Sequence, residues 1–244
     1  MASGKFRVEV RGKIAVVTTD CGENRFNLDF VNKLNKALDE VESNPNVQAV
    51  ITTGIGKFFS NGLDVNWMGQ VAKNNQVSEL IKFFEGIHAL NRRMITFPVP
   101  TIAAINGHCV AQGGFWALHH DYRLMRTKRS WFSLPEVHLK LPIGEHNIKL
   151  VRMKVNGDVA RDSLVFGKWY SPEESLQAGF VDQLAEPEEL LESAIKFAHQ
   201  CLGTRGFDRG TLKAMKENVY KDLLDVEDTM PDLNRYTKLA KPKL

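Results

Sequence analysis

The sequence predicts an α/β protein. Short β-branched runs the length of a strand alternate with longer stretches whose apolar residues recur every three or four positions, and the connections between them are short. The hydrophobic and charged fractions, 43% and 25%, are those of a globular chain long enough for a large core.

Each element has a local reason. Phe6, Val8 and Val10 alternate, and 14–19 is a β-branched run, so two strands joined at Gly12-Lys13 form a hairpin. After a polar loop, Asp29 is the expected cap of a helix carrying Phe30, Leu34, Leu38 and Val41, ended by Asn44-Pro45-Asn46. Residues 47–53 read as a strand buried on both faces. The loop 54–64 leads into a polar stretch, then a helix over 78–97 stopped by Pro98 and Pro100. Residues 101–105 are a strand, a glycine-bearing turn precedes a helical stretch at 113–119, and 122–125 is another strand. Beyond residue 143 the chain reads as mostly helical. Ser171-Pro172-Glu173-Glu174 has the cap, proline and glutamate of a helix start. Gly179 ends that helix, 180–184 is a brief strand and 187–201 is helical.

Several function classes fall away. The formal net charge of +3 is too small for a nucleic-acid field. No apolar run approaches the roughly 20 residues of a membrane span, and the N-terminus reads as carrying no secretory signal. Cys21, Cys109 and Cys201 form no CxxC and read as reduced thiols. His119 and His120 read as residues at a helix C-terminus, not metal ligands, so no metal and no cofactor are expected.

Chemistry concentrates in two glycine-bearing loops that follow strands. The first, 54–64, opens like a dinucleotide fingerprint, but Phe59 stands where its last glycine belongs. The second runs from Asn106 through Gly107 to Gly113-Gly114. Two such loops can converge two backbone N–H groups on one oxygen, as in an oxyanion hole; the alternative is that the glycines serve packing and tight turns.

Phe59-Ser60-Asn61-Gly62-Leu63-Asp64, Ile105-Asn106-Gly107 with Gly113-Gly114, Leu134-Pro135-Glu136, and Ser171-Pro172-Glu173-Glu174 with Gly179-Phe180-Val181-Asp182 resemble, in order, the landmarks of the crotonase (enoyl-CoA hydratase/isomerase) superfamily. The resemblance implies a spiral of ββα units over 1–195 that binds acyl-CoA thioesters. It also implies a helical C-terminal region, 196–244, that drives assembly into a trimer or hexamer. It makes the N–H groups of Leu63 and Gln112 the oxyanion donors and Glu136 the proton carrier. Gln112 departs from the small residue usual in the family. The substrate would lie against Ser60, Asn61, Gly62, Leu63, Asp64 and Gln112, with Lys57 and Arg25 as candidates for CoA phosphates. The bland reading of Asp64 is a helix cap.

Family hydratases use two glutamates, and here the first position is Phe115. Glu136 alone suffices for a proton shuttle between C2 and C4. Trp131, Phe132, Leu134 and Leu139 beside it are expected to desolvate it, and Glu145 is a spare acid nearby. The stretch from His119 to Arg126 is most similar to the monofunctional Δ3,Δ2-enoyl-CoA isomerase branch, peroxisomal plant-type members included. The expected function is that isomerisation within fatty acid β-oxidation. Alternatives are another reaction of the family (enoyl-CoA hydratase, dienoyl-CoA isomerase, acyl-CoA thioesterase) or a catalytically silent binding protein. Pro242-Lys243-Leu244 resembles a peroxisomal address; without it the expected location is cytoplasmic.

Overall fold

A computed structural model describes residues 5–227. The chain opens with the expected hairpin, β1 (Lys5–Arg11) and β2 (Ile14–Asp20), in antiparallel register with Gly12 at φ +64° in the turn. Helix α1 (Leu28–Ser43) returns the chain to β3 (Ala49–Gly54). The N-cap of α1 is Asn27, whose side chain accepts from the Phe30 N–H at 2.9 Å; Asp29, the expected cap, lies inside the first turn and pairs with Lys33.

A three-residue strand, β4 (Phe58–Ser60), follows, then α2 (Val65–Lys73), α3 (Val77–Ile95) and β5 (Thr101–Ile105). The polar stretch after Asp64 is therefore helical, and Asp64 caps it, its side chain accepting from the Trp67 N–H at 3.0 Å. Next come β6 (His108–Val110), α4 (Gln112–Leu118), β7 (Tyr122–Arg126) and β8 (Phe132–Ser133). The C-terminal part holds α5 (Glu145–Lys154), α6 (Gly157–Leu164), β9 (Trp169–Tyr170), α7 (Pro172–Gln177), β10 (Gln183–Ala185), α8 (Leu190–Leu202), α9 (Arg209–Val219) and α10 (Lys221–Leu224).

Two sheets result. The larger has strand order β1-β2-β3-β5-β7-β10 and is parallel throughout except for the β1–β2 pair. The smaller, β4-β6-β8-β9, lies where the two glycine-bearing loops pass and ties them together. Sequence periodicity gives no sign of it, because strands of two or three residues carry no alternation.

Period-2 alternation sorts the large sheet's two faces. Ala15 and Val17 join Leu34, Leu38, Phe83 and Leu90 in the main core. Ile14 and Val16 join Ile51, Ile102, Ala194 and Ala198 on the face covered by α8. That helix crosses the expected 195/196 boundary and buries its apolar face on the sheet, so the core extends to at least Leu202.

The capping box of α7 is complete. Ser171 Oγ accepts from the Glu174 N–H at 3.2 Å, and Glu174 Oε2 accepts from the Ser171 N–H at 2.9 Å. Ser171→Ala is expected to lose about 1 kcal/mol, read as a drop of roughly 2–4 °C in Tm by thermal denaturation. No change would show that water replaces the cap.

The two histidines after α4 are core residues. Both are fully buried, and His120 is pushed down to about 3 by burial. His119 Nδ1–H donates to the Phe115 carbonyl at 2.7 Å, which leaves Nε2 to accept from His146 Nε2 at 3.0 Å. They satisfy helix carbonyls as neutral rings and do not meet the helix dipole as cations. No cluster able to hold a metal ion occurs among the described residues, and no described helix is long and apolar enough to cross a membrane.

Candidate active site

The two glycine-bearing loops meet at van der Waals contact. A Cβ placed on Gly62 would stand 2.9 Å from Ala111 Cβ and 3.5 Å from the Gln112 nitrogen; one on Gly113 would stand 2.6 Å from the Ser60 carbonyl oxygen. Only glycine permits this approach.

The residue before each expected donor has positive φ. Gly62 is at +78° and Ala111 at +53°. Ala111 is held in that costly conformation from both sides: its N–H donates to the Ser133 carbonyl at 2.9 Å, and its carbonyl accepts from Gly114 and Phe115. The turn frees the Gln112 N–H, at the first position of α4, from any acceptor behind it. On the other loop, Phe26 N–H donates to Gly62 O and Asp64 N–H to Phe26 O, both at 2.8 Å. This bridge turns Leu63 the other way. Among the described residues neither the Leu63 nor the Gln112 N–H meets an acceptor within the fold.

Both residues line a cavity of about 500 Å³, and Glu136 and Phe115 line it too. Glu136 follows β8 in a tight turn in which its carbonyl accepts from the Leu139 and Leu141 N–H groups at 3.0 Å. The side chain is only 8% exposed, and Oε2 has no hydrogen-bond partner in the protein. Burial raises its pKa to about 7, against a weaker opposing pull from its own backbone N–H. Leu139, Leu141 and Phe115 supply the apolar wall there. Trp131, expected beside the carboxyl, is 41% exposed, while Phe132 and Leu134 belong to the core behind.

The expected binding residues divide. Arg25, Asn61, Leu63 and Gln112 line the cavity. Arg25 donates to the Asn61 and Leu63 carbonyls at 3.2 and 3.1 Å and pairs with Glu23, so it braces the first glycine-bearing loop. Ser60 and Asp64 do not line it. The Ser60 hydroxyl, buried, donates to Asn24 O at 2.7 Å, and the Asp64 carboxylate is used on the α2 cap and on Asn27. Gly62 contributes conformation and not contact. Lys57 also stands outside the lining, its ammonium 5.6 Å from the centre of the Phe58 ring.

Glu145 lines the same cavity but is exposed and paired with Lys149 at 3.0 Å. Sequence reading missed Asn91, His146 and Asn147, which line it from α3 and α5. The only available signal for Asn91 was its place on the helix face of Phe84, Ile87 and His88.

Comparison with known proteins agrees with this architecture. Residues 9–236 match the family model described as enoyl-CoA hydratase/isomerase. The chain is 31% identical to Enoyl-CoA delta isomerase 3 of Arabidopsis thaliana over 226 residues, covering 91% of this chain and 94% of that protein. It is 30% identical to the peroxisomal Enoyl-CoA delta isomerase 2 of the same plant, covering 90% and 93%. In structure it resembles the human mitochondrial delta3-delta2-enoyl-CoA isomerase, with a TM-score of 0.82, 24% identity and coverage of 96% and 91%. The fold, the two convergent glycine-bearing loops and the match over nearly the whole length make this chain a member of the enoyl-CoA hydratase/isomerase family, the crotonase superfamily.

Proposed function

We propose that the protein is a Δ3,Δ2-enoyl-CoA isomerase that works through Glu136 alone. The observation that carries this reading is one buried carboxylate, its Oε2 without a partner, in the cavity of the two free N–H groups; by the family resemblance Phe115 stands where the hydratases carry their other glutamate. Ionised Glu136 takes a proton from C2 of a 3-enoyl thioester. The electron pair moves into the thioester, placing negative charge on its oxygen, where the Leu63 and Gln112 N–H groups donate. The resulting dienolate takes the same proton back at C4 as the C2–C3 double bond forms. The relatives named as enoyl-CoA delta isomerases support this choice.

Two further parts of the reading are ours. We place the reaction in fatty acid β-oxidation in the peroxisome, supported by the peroxisomal relatives; the Pro242-Lys243-Leu244 tail lies outside the described residues. We also propose a homotrimer or hexamer, supported by the exposed apolar side chains Phe207, Met215 and Val219 on and beside α9. A clean monomer by sedimentation would contradict it.

The test of the activity is incubation with a 3-enoyl-CoA, following the absorbance of the conjugated 2-enoyl thioester. Its appearance is expected. A parallel incubation with a 2-enoyl-CoA tests hydration: a 3-hydroxyacyl product there, with no conjugation of the 3-enoyl thioester, would instead favour a hydratase with Glu145 as the second acid, and no reaction of either with retained binding would favour a silent fold.

A further inference from the structure

Asn91 Oδ1, Gln112 Nε2, Glu136 Oε2 and Asn147 Oδ1 are buried side-chain atoms of cavity-lining residues with no hydrogen-bond partner among the described residues. The proton shuttle accounts for Glu136. The oxyanion hole uses only the backbone of Gln112. Three amide side chains, from three different helices, therefore have no task in the chemistry described so far.

Their placement is deliberate in physical terms. Asn91 is 2% exposed and Gln112 6%. Asn91 continues the cavity face of α3 after Phe84, Ile87 and His88, at the i, i+3, i+4, i+7 spacing where an apolar residue would suit a hydrocarbon chain. A buried amide facing methylene groups stays unsatisfied when the ligand binds, so such a pocket would disfavour a plain fatty chain. An amide presents both a donor and an acceptor, and so matches a neutral oxygen group whichever role that group takes. An anionic group fits less well, because Glu136, Glu145 and Glu227 share the lining and the Arg25 guanidinium is already engaged by Glu23 and two backbone carbonyls.

We propose that the acyl chain accepted here carries a neutral oxygen function, a hydroxyl or a carbonyl beyond C4, held by Asn91, Asn147 and the side chain of Gln112. The proposal rests on reading the cavity as an acyl-thioester site and is independent of whether the double bond moves.

The test is calorimetric titration of the full chain with saturated acyl-CoA thioesters, which do not turn over. Each is compared with counterparts bearing one hydroxyl or one keto oxygen at successive carbons beyond C4. At least one oxygenated chain is expected to bind tenfold or more tightly than its plain parent, and the hydroxyl and keto arms report which oxygen is held. Asn91→Leu and Asn147→Leu are each expected to bring that ratio towards one. The readout is the ratio within each variant, so a misfolded variant shows itself by losing the plain thioester too, and the other variant then decides. Equal or weaker binding of every oxygenated chain by the wild type overturns the proposal, and an unchanged ratio in both folded variants overturns the residue assignment. Absence of 3-enoyl-CoA isomerisation alongside a clear oxygen preference would sink the isomerase reading and leave this proposal standing.

Discussion

Glu136→Gln is expected to lower isomerase turnover by at least about 10²–10⁴-fold, the contribution of a positioned general base, with acyl-CoA binding largely kept. The same substitution is expected to stabilise the protein above neutral pH. In the fold the Glu136 carboxyl is raised to about 7 by burial, so the native state holds its proton more tightly than the unfolded chain does. Below the ordinary carboxylate value of 4.5 both states are protonated and the residue costs nothing. As pH rises from there to about 7, stability falls, and above 7 the full penalty of a buried charge applies, roughly 3 kcal/mol. Removing the charge recovers much of this. Denaturant titrations at pH 4 and pH 8 should therefore show wild type and variant close together at the lower pH and the variant ahead at the higher. In wild type, kcat/KM should climb along an acid limb with an apparent pKa near 7, since only the ionised form removes a proton. A variant with full turnover, or one destabilised equally at both pH values, would contradict the role given to Glu136.

The second large effect is expected at Gly62. An alanine there must hold φ +78° and place its Cβ 2.9 Å from Ala111 Cβ and 3.2 Å from Val110 O. The neighbours are backbone and a short side chain, so they cannot swing aside. Either loop can give way only by turning the Leu63 or Gln112 N–H. Loss of one oxyanion donor costs about 10²–10³ in rate, and the strained backbone adds roughly 1–3 kcal/mol of destabilisation. Because the charge develops only during reaction, the loss should fall on kcat far more than on KM. Steady-state kinetics normalised to the fraction of variant that binds an acyl-CoA distinguish this from a purely structural defect, which would lower that fraction and leave kcat per binding-competent molecule unchanged. An unimpaired kcat would remove Leu63 from the oxyanion hole.

Both positions were marked by the resemblance to the family before the fold was known. The hairpin and the capping box follow from local chemistry that tertiary structure did not override, while the four landmarks were read through the resemblance to the family. Other parts were hidden for physical reasons. Helix α2 has only Met68, Gly69 and Val71 buried, too few for a periodic stripe. At α1, Asn27 and Asp29 are both good caps, and what favours Asn27 is a contact across the fold, its amide donating to Asp64 at 3.1 Å. Ser60 stands in a loop that carries chemistry, yet its hydroxyl serves Asn24. The deepest miss lies in the cavity wall. Asn91 and Asn147 sit on helices where polar residues default to the solvent side, and only the packed structure shows that they line the cavity with a buried amide oxygen left unpartnered.

The single-glutamate shuttle is tested most directly by isotope transfer. A 3-enoyl-CoA deuterated at both C2 positions would be converted by the wild-type protein and its product analysed by NMR. With one largely buried carboxylate carrying the proton, deuterium is expected at C4 of the 2-enoyl product. Conversion with only solvent hydrogen at C4 would contradict the shuttle through Glu136.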